Sequence, residues 1–265
     1  MVSKTPREKV QLLSQDEKEE YYALIQGMPE KGNSMSKNIP HLPENATPEE
    51  ILQAGVEAAQ GPVKLGCSFS VEDVVIIDIV ARLGIPVGIF ALDTGRLNEE
   101  TYEVADGITE RYRIPIDWYF PRHGEVEKLL REKGAFSFRE SLENRHECCH
   151  IRKVEPLGRA LKGLSGWVTG LRREQSVTRT VLTPIELDEA NGGILKINPL
   201  LEWNEEQVWE YAKGHNVPVS RLYHQGYRSI GCASCTRPVA PGEHARAGRW
   251  WWENPEQKEC GLHRR

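Results

Sequence analysis

The sequence contains no long hydrophobic run, and no apolar stretch approaches the roughly 20 residues that a membrane-spanning helix needs. Its first 20 residues are polar and charged, without the apolar segment of a secretory signal. Positive charge is not in excess either, because 34 Lys and Arg residues stand against 39 Asp and Glu residues. With a net charge of −5, neither nucleic acid nor an anionic membrane is expected as the main partner. We therefore expect a cytoplasmic protein.

Cysteine is sparse, with six residues in a chain of 265. The cytosol keeps thiols reduced, so a framework of disulfide bonds is not expected. Metal binding or thiol chemistry is the better expectation for these side chains. They are Cys67, Cys148, Cys149, Cys232, Cys235 and Cys260.

Three regions differ in composition. Residues 1–45 are rich in Lys, Glu, Gln and Asn, and we expect a polar segment with partial disorder. In residues 46–220, short apolar runs alternate with amphipathic runs, which predicts an α/β domain with a doubly wound, mostly parallel sheet. Residues 221–265 lose this rhythm and are rich in Gly, Pro, Cys, Arg and Trp, so we expect an irregular C-terminal tail with a functional role.

The stretch GCSFSVED, residues 66–73, follows the first predicted strand and opens a helix. Its small polar residues would let backbone N–H groups and the helix N-terminus face an anion. The stretch lacks the lysine and the spacing of a Walker A loop. Phosphate binding and an ordinary strand-to-helix turn both fit these residues.

Two further strand ends carry polar side chains. LDTGRL, residues 92–97, has the composition of a nucleoside contact and equally of a plain turn. TGLRREQSVTRT, residues 169–180, clusters three arginines. Ligands of doubly wound sheets bind at the carboxyl ends of the strands, so a phosphate or sulfate clamp competes here with a solvated surface. The arginines are Arg172, Arg173 and Arg179.

Cys232 and Cys235 form a C-x2-C pair, a spacing typical of metal ligands in a cytosolic chain. A metal site needs two more ligands, and the adjacent Cys148 and Cys149 are candidates. If these two begin a helix, their side chains diverge by about 100°, which suits two irons of a cube better than one small ion. Four cysteines are the usual ligand set of a [4Fe–4S] cluster. Structural zinc and independent thiols remain alternatives.

Cys260 lies in KECGLH, between Lys258 and His263. These neighbours could favour the thiolate, which is the reactive form of cysteine. A cysteine in such a polar stretch often has no role, and the charged neighbours favour a nucleophile instead. Cys67, at the end of an apolar strand, is expected to be a packed small side chain.

Taken together, these stretches resemble one family. The stretches SFSVEDVV, LDTGRL, ECCHIRKVEPL, TGLRREQS, IGCASCTRP, GRWWWE and KECGLH occur in this order between residues 66 and 263. In them the chain is similar to the assimilatory adenylylsulfate (APS) reductases, the iron–sulfur type of the phosphoadenylylsulfate/adenylylsulfate reductase family.

The resemblance implies a fold like that of the adenine-nucleotide pyrophosphatases, with the nucleotide bound by residues 46–220 and a mobile catalytic tail in residues 221–265. The implied nucleophile is Cys260. The implied ligands of a [4Fe–4S] cluster are Cys148, Cys149, Cys232 and Cys235. The residues implied to surround the substrate are Ser68, Phe69, Ser70, Leu92, Thr94, Gly95, Arg96, Lys153, Gly170, Arg172, Arg179, Arg246, Arg249 and His263, with Lys153 between cluster and substrate.

The activity that the resemblance implies is thioredoxin-dependent reduction of adenosine 5′-phosphosulfate to sulfite and AMP. It would pass through a cysteine S-sulfonate and serve assimilatory sulfate reduction and cysteine biosynthesis. The implied partners are the nucleotide, thioredoxin or a similar dithiol donor, and further copies of the chain in a homo-oligomer. Two alternatives remain: reduction of the 3′-phosphorylated nucleotide PAPS, and a zinc-stabilised nucleotide-binding module without redox chemistry.

Overall fold

The computed structural model describes residues 39–175 and 182–254 of the chain. Most of the polar segment predicted for residues 1–45 lies outside these ranges. Three of the predicted site residues also lie outside the described residues: Arg179, Cys260 and His263.

A single six-stranded sheet organises the described residues. Its strands are β1 (Val63–Cys67), β2 (Val87–Leu92), β3 (Ile116–Tyr119), β4 (Gly166–Val168), β5 (Ile185–Asp188) and β6 (Ile194–Ile197). The strand order is β3-β2-β1-β4-β6-β5, and every pair is parallel except β5 with β6. The predicted doubly wound, mostly parallel sheet is confirmed. The antiparallel edge pair was not predicted from the sequence.

Seven α-helices connect and flank these strands in the described part of the chain. They are α1 (Pro48–Ala59), α2 (Val71–Leu83), α3 (Glu99–Tyr112), α4 (His123–Lys133), α5 (Leu142–Cys149), α6 (Glu155–Leu161) and α7 (Glu205–Gly214). Thr47 and Glu50 form a capping box at the start of α1, and Asn204 forms another with Gln207 at the start of α7. Within the described residues, no helix is long and apolar enough to cross a membrane.

The strand order reverses direction between β1 and β4. From β1 the chain builds outwards through β2 and β3, and then returns to place β4 on the other side of β1. The register pairs Val63 with Val87 on one side and with Gly166 on the other. In open α/β sheets, such a switch point creates a crevice at the carboxyl ends of the strands, where ligands bind.

Helix α2 is buried along most of its length. All ten residues from position 71 to position 80 are buried, because the helix is covered by the sheet and by α7. Two of them, Glu72 and Asp73, are carboxylates at the N-terminal end of the helix. Burying a carboxylate is unfavourable unless it has partners, so these two mark the side of α2 where polar groups converge.

The segment from residue 142 to residue 161 is helical, but it is not a regular α-helix. A π-helical turn, His150–Val154, separates α5 from α6. Pro156 follows it and sits in the first turn of α6. Cys148 and Cys149 end α5 rather than begin a helix, so that premise of the sequence analysis was wrong.

After residue 220 the described chain has no regular α-helix or strand. It forms short 3₁₀ turns, Arg221–Gln225 and Ala233–Cys235, and one bridge joins Thr236 to Arg249. The bridge brings the chain around Arg249 back beside the C-x2-C turn. The predicted irregular character of this region is confirmed as far as residue 254.

Candidate active site

A cavity of about 400 Å³ lies at the carboxyl ends of β1, β2 and β4. Its volume is typical of sites for small ligands, which hold roughly 300–1,000 Å³. Two of the predicted substrate-binding residues, Gly95 and Arg96, do not line this cavity. The predicted site residues that do line it are Ser68, Phe69, Ser70, Leu92, Thr94, Lys153, Gly170, Arg172, Arg246 and Arg249.

The loop after β1 is held in place by a carboxylate of α2. Asp73 accepts hydrogen bonds from Ser68 N at 2.6 Å and from Ser68 Oγ at 2.8 Å. Burial raises the pKa of Asp73 from 3.8 to about 6, and the bonds from Ser68 oppose this shift only in part. Gly170 leaves the space for this carboxylate, since a Cβ at position 170 would lie 2.3 Å from Asp73 Oδ1.

The same loop contains a residue with a strained backbone. One N–H group that could bind an anion is already bonded to another part of the protein. Phe69 has a left-handed backbone, with φ of 63°, which is unfavourable for a side chain of its size. Its buried ring stacks on Trp118 at 5.4 Å, which helps to hold this conformation. The Val71 N–H, in the first turn of α2, donates to the hydroxyl of Tyr223 at 3.0 Å. One of the donors that the sequence offered to a phosphate is therefore already used.

The arginine cluster predicted after β4 is divided between different partners. Arg172 is buried, and its Nε donates to Glu72 at 3.0 Å while its Nη1 donates to Glu174 at 2.9 Å. Arg173 is paired with Glu202. Arg172 thus lines the cavity with its charge balanced by two carboxylates.

The LDTG turn after β2 connects the cavity to its surroundings. The Asp93 carboxylate accepts hydrogen bonds from Gly95 N at 2.7 Å and from the Tyr102 hydroxyl at 2.8 Å. Gly95 has φ of 68°, which this tight turn requires and which glycine adopts without strain. Arg96 points away from the main cavity. Its Nη2 donates to Ala135 O at 2.6 Å.

A second cavity contains the four predicted metal ligands. Cys148, Cys149, Cys232 and Cys235 all line it. All except Cys149 are buried. Among the described residues, no group of three or more His, Cys, Asp or Glu side chains is arranged to hold a metal ion directly. The four thiols thus surround a space instead of converging on one point.

Basic side chains surround the cysteine cavity. Arg96, Arg145, Arg152, Lys153 and Arg249 line it together with the thiols. Within the described residues, three of their buried nitrogens have no hydrogen-bond acceptor. They are Arg96 Nη1, Arg152 Nε and Arg249 Nε.

The basic groups act on the cysteines unequally. Burial raises the pKa of the Cys232 thiol, but Lys153, a hydrogen bond from Thr94, Arg249 and Arg96 outweigh it, so that the net shift is downward. Burial also raises the pKa of Cys235, to about 11, and the neighbouring Cys232 adds to that rise. The pKa of Cys148 is raised by burial, which Arg96 and Arg152 oppose. Cys232 is therefore the most easily ionised of these three thiols.

The two cavities share a wall. Lys153, Cys232 and Arg249 line both of them. Lys153 lies in the π-helical turn, four residues after Cys149, and lines both cavities from there. Gly231 makes room for Arg249, because a Cβ at position 231 would lie 2.5 Å from its guanidinium group.

Several residues of the wall were not found from the sequence. Tyr223 and Arg228 line the main cavity from the irregular C-terminal region, and Glu72 and Asp73 line it from α2. Arg152 lines the cysteine cavity and donates to Thr94 O at 2.6 Å. Only the two carboxylates had a visible signal, since a Glu-Asp pair opens an otherwise apolar helix.

Comparison with known proteins assigns these features to a family. The phosphoadenosine phosphosulfate reductase domain matches residues 62–238, about two thirds of the chain. The chain belongs to this family. The matched residues contain the sheet, the main cavity's strand-end loops and all four cysteines of the second cavity.

Individual members of the phosphoadenosine phosphosulfate reductase family agree with this assignment. The chain is 48% identical over 224 residues to adenosine 5′-phosphosulfate reductase of Burkholderia cepacia, covering 84% of this chain and 89% of that one. It is 51% identical over 198 residues to the enzyme of the same name from Allochromatium vinosum, covering 75% and 77%.

Among solved structures, the crystal structure of phosphoadenylyl-sulfate (PAPS) reductase from Candida auris, in a phosphate complex, matches with a TM-score of 0.62 and 29% identity. It covers 74% of this chain and 91% of that chain. The likeness supports the fold predicted from the sequence. Like the rest of its family, the chain is an oxidoreductase that acts on a sulfur group.

Proposed function

We propose that this chain reduces adenosine 5′-phosphosulfate to sulfite and AMP. The relatives at 48% and 51% identity carry that activity in their names. The observation that carries the proposal is the shared wall of Lys153, Cys232 and Arg249. It joins a cavity of nucleotide size to one lined by four cysteines, so that a cation lies where the anionic end of a nucleotide would approach the cysteines.

The cysteine cavity fits a [4Fe–4S] cluster. Four cysteines are its usual ligand set, and hydrogen bonds to the sulfurs tune such clusters. The unsatisfied nitrogens of Arg96, Arg152 and Arg249 match an anionic group, because a buried donor without an acceptor is unfavourable. The residues that would hold the cluster are Cys148, Cys149, Cys232 and Cys235. When bound, it would supply a fixed charge and a cross-link between α5 and the C-x2-C turn.

The chemistry that we propose is two displacements at sulfur. The Cys260 thiolate attacks the sulfur of the substrate, the S–O bond to phosphate breaks, and AMP leaves with the electron pair. A thiolate of a dithiol donor such as thioredoxin then attacks the Cys260 sulfur and expels sulfite, and the donor's second thiol frees Cys260 as the donor becomes a disulfide. The two thiols supply both electrons.

The described residues would act by binding and charge compensation. Lys153, Arg246 and Arg249 line the main cavity, where they would stabilise the negative charge that builds up on the phosphate and sulfonate oxygens. Thr94 and the loop from Ser68 to Ser70 would position the nucleoside end. Cys260 and His263, outside the described residues, would enter from the C-terminal side.

The test begins with the purified protein. Prepared without oxygen, it should be brown, contain about four irons per chain and absorb near roughly 400 nm, as thiolate-ligated clusters do. It should release sulfite and AMP from adenosine 5′-phosphosulfate with thioredoxin as the reductant. A colourless protein with one zinc and no sulfite release would contradict the proposal and support the nucleotide-binding module.

Reduction of PAPS is the second candidate, because the family name and the Candida auris structure both refer to that nucleotide. The higher identity to the adenosine 5′-phosphosulfate reductases favours the nucleotide without a 3′-phosphate. Measuring kcat/KM for both nucleotides decides between them, and a higher value for PAPS would reverse the assignment.

A further inference from the structure

Four aromatic rings and one arginine form a surface next to the cysteine cavity. Arg139 lies 4.9–5.6 Å from the ring centroids of Phe136, Phe138, Trp251 and Trp252. The rings form a continuous series, with centroid distances of 6.0 Å, 5.8 Å and 4.7 Å in the order Phe136, Phe138, Trp252, Trp251. We call these five residues the aromatic patch.

The patch is exposed at its outer rings. Phe136 is 58% exposed and Trp251 is 38% exposed, whereas Phe138 is buried and anchors the set. Arg139 is fixed by a hydrogen bond from its Nη2 to Ser234 O at 3.1 Å, within the C-x2-C turn. Trp and Arg are the residues that most often dominate binding energy at protein interfaces. An exposed set of this kind, held by tilted and edge-to-face ring contacts and by Arg139, is a typical interaction surface.

The position of the patch in the chain identifies its occupant. Trp251 and Trp252 stand just before Asn254, the last described residue, and Cys260 is six positions further along the chain. Six residues span at most about 21 Å even when fully extended. A protein that reacts with the Cys260 sulfur therefore comes within about 21 Å of Asn254, which is two residues after Trp252.

We propose that the aromatic patch is the docking surface of the protein dithiol donor. The proposal rests on the function proposed above, in which Cys260 carries the sulfonate. The partner's thiolate forms an S–S bond to Cys260 while the bond from that sulfur to the sulfonate breaks, and sulfite takes the electron pair. The partner is then a protein with an apolar rim around a reactive dithiol, because apolar atoms cover exposed aromatic rings most favourably.

Two reductants separate docking from chemistry. Dithiothreitol is too small to need a docking surface, whereas thioredoxin is a folded dithiol protein. In Trp251→Ala and Phe136→Ala, we expect the KM for thioredoxin to rise about tenfold or more, as for the loss of an interface hot spot. Turnover with dithiothreitol should stay within about twofold of the wild type, which is the scatter of neutral interface substitutions.

Phe120→Ala is the matched control. Phe120 is 54% exposed and is not part of the patch. The KM for thioredoxin and the turnover with dithiothreitol should therefore be the same in this variant as in the wild type. The visible absorbance and the KM for the nucleotide should be unchanged in all three variants. These readouts show that the fold and the site are intact.

Three results would overturn the docking surface. The first is an unchanged KM for thioredoxin in both patch variants. The second is an equal loss with both reductants, which would place the patch in the site itself. The third is a change of molecular mass without a change of KM, which would make the patch a contact between copies of this chain. Absence of sulfite release by the wild type with either reductant would instead overturn the proposed function and, with it, the partner.

Discussion

The Thr94 hydroxyl lies 3.3 Å from the Sγ of Cys232, although 138 residues separate the two in sequence. The Thr94 oxygen also accepts from Arg96 N at 3.2 Å, and its own proton remains available for a hydrogen bond to the sulfur. The bond joins the turn after β2, in the main cavity, to the C-x2-C turn. It is one of the reasons that the pKa of Cys232 is lowered in spite of burial.

Thr94→Val should weaken iron binding in the cysteine cavity without changing the shape of the cavity, because valine keeps the side-chain volume and removes the hydroxyl. Hydrogen bonds to a charged group are worth about 1.5–3 kcal/mol, so we expect iron to be lost to a chelator at least about tenfold faster than in the wild type. Thr94→Ser keeps the hydroxyl and is the matched control. Equal rates of iron loss in Val and Ser variants would mean that the hydroxyl does not support Cys232.

Cys260→Ser should abolish sulfite release while leaving nucleotide binding and the visible absorbance intact. A serine hydroxyl is a far weaker nucleophile than a thiolate, and Cys260 is not one of the four cavity cysteines. Cys235→Ser is the contrasting variant, which should lose colour and activity together. Sulfite release by Cys260→Ser would remove this residue from the proposed mechanism.

Asp73→Asn should change how stability depends on pH. Because burial raises the pKa of Asp73 to about 6, the folded protein keeps this proton at pH values where the unfolded chain has lost it. The stabilisation is complete below the ordinary value of 3.8 and is lost as the pH rises through about 6. The free energy of unfolding of the wild type, relative to Asp73→Asn, should fall over this interval.

Asp106→Asn, at an exposed position of α3, is the control for replacing an aspartate by asparagine. The measurement is denaturant unfolding at a series of pH values. A constant difference between wild type and Asp73→Asn across the interval would show that folding does not raise the pKa of Asp73.

Tyr223→Phe should lower the free energy of unfolding. It removes the acceptor of the Val71 N–H, and leaving such a group unsatisfied is unfavourable by about 1–3 kcal/mol. We expect a loss of stability within that range, measured by denaturant unfolding. Tyr227→Phe, in the same segment, is the control. Unchanged stability of Tyr223→Phe would show that its hydroxyl does not hold the loop.

Local sequence predicted most of the framework. The capping boxes at Thr47 and Asn204 depend on residues three positions apart, and the alternation of apolar runs depends on local periodicity. Asn98 illustrates the limit of this reasoning. It stands at the N-cap of α3, where asparagine is a favoured residue, but its side chain donates to Gly231 O at 3.2 Å instead of capping the helix. A contact between residues 133 positions apart has no local signal.

In the site, too, local motifs could be predicted from the sequence and contacts between distant residues could not. The strand-end loops and the four cysteines could be placed in the site because each motif carries its own chemistry. Arg172 was expected to face a phosphate, and it is paired with Glu72, which is 100 positions away in sequence. Arg96 was expected beside the nucleotide, and it lines the cysteine cavity, with its guanidinium 4.9 Å from the Phe138 ring. Which partner an arginine finds is decided by the packing of distant segments.

The π-helical turn has a consequence for how this chain can vary. It contains one more residue than an α-helical turn would, and it lies between Cys149 and α6. Deleting a single residue from it would restore an uninterrupted α-helix and rotate everything before it by about 100° relative to everything after it. Homologues of this protein should therefore tolerate substitutions at these five positions far better than insertions or deletions among them.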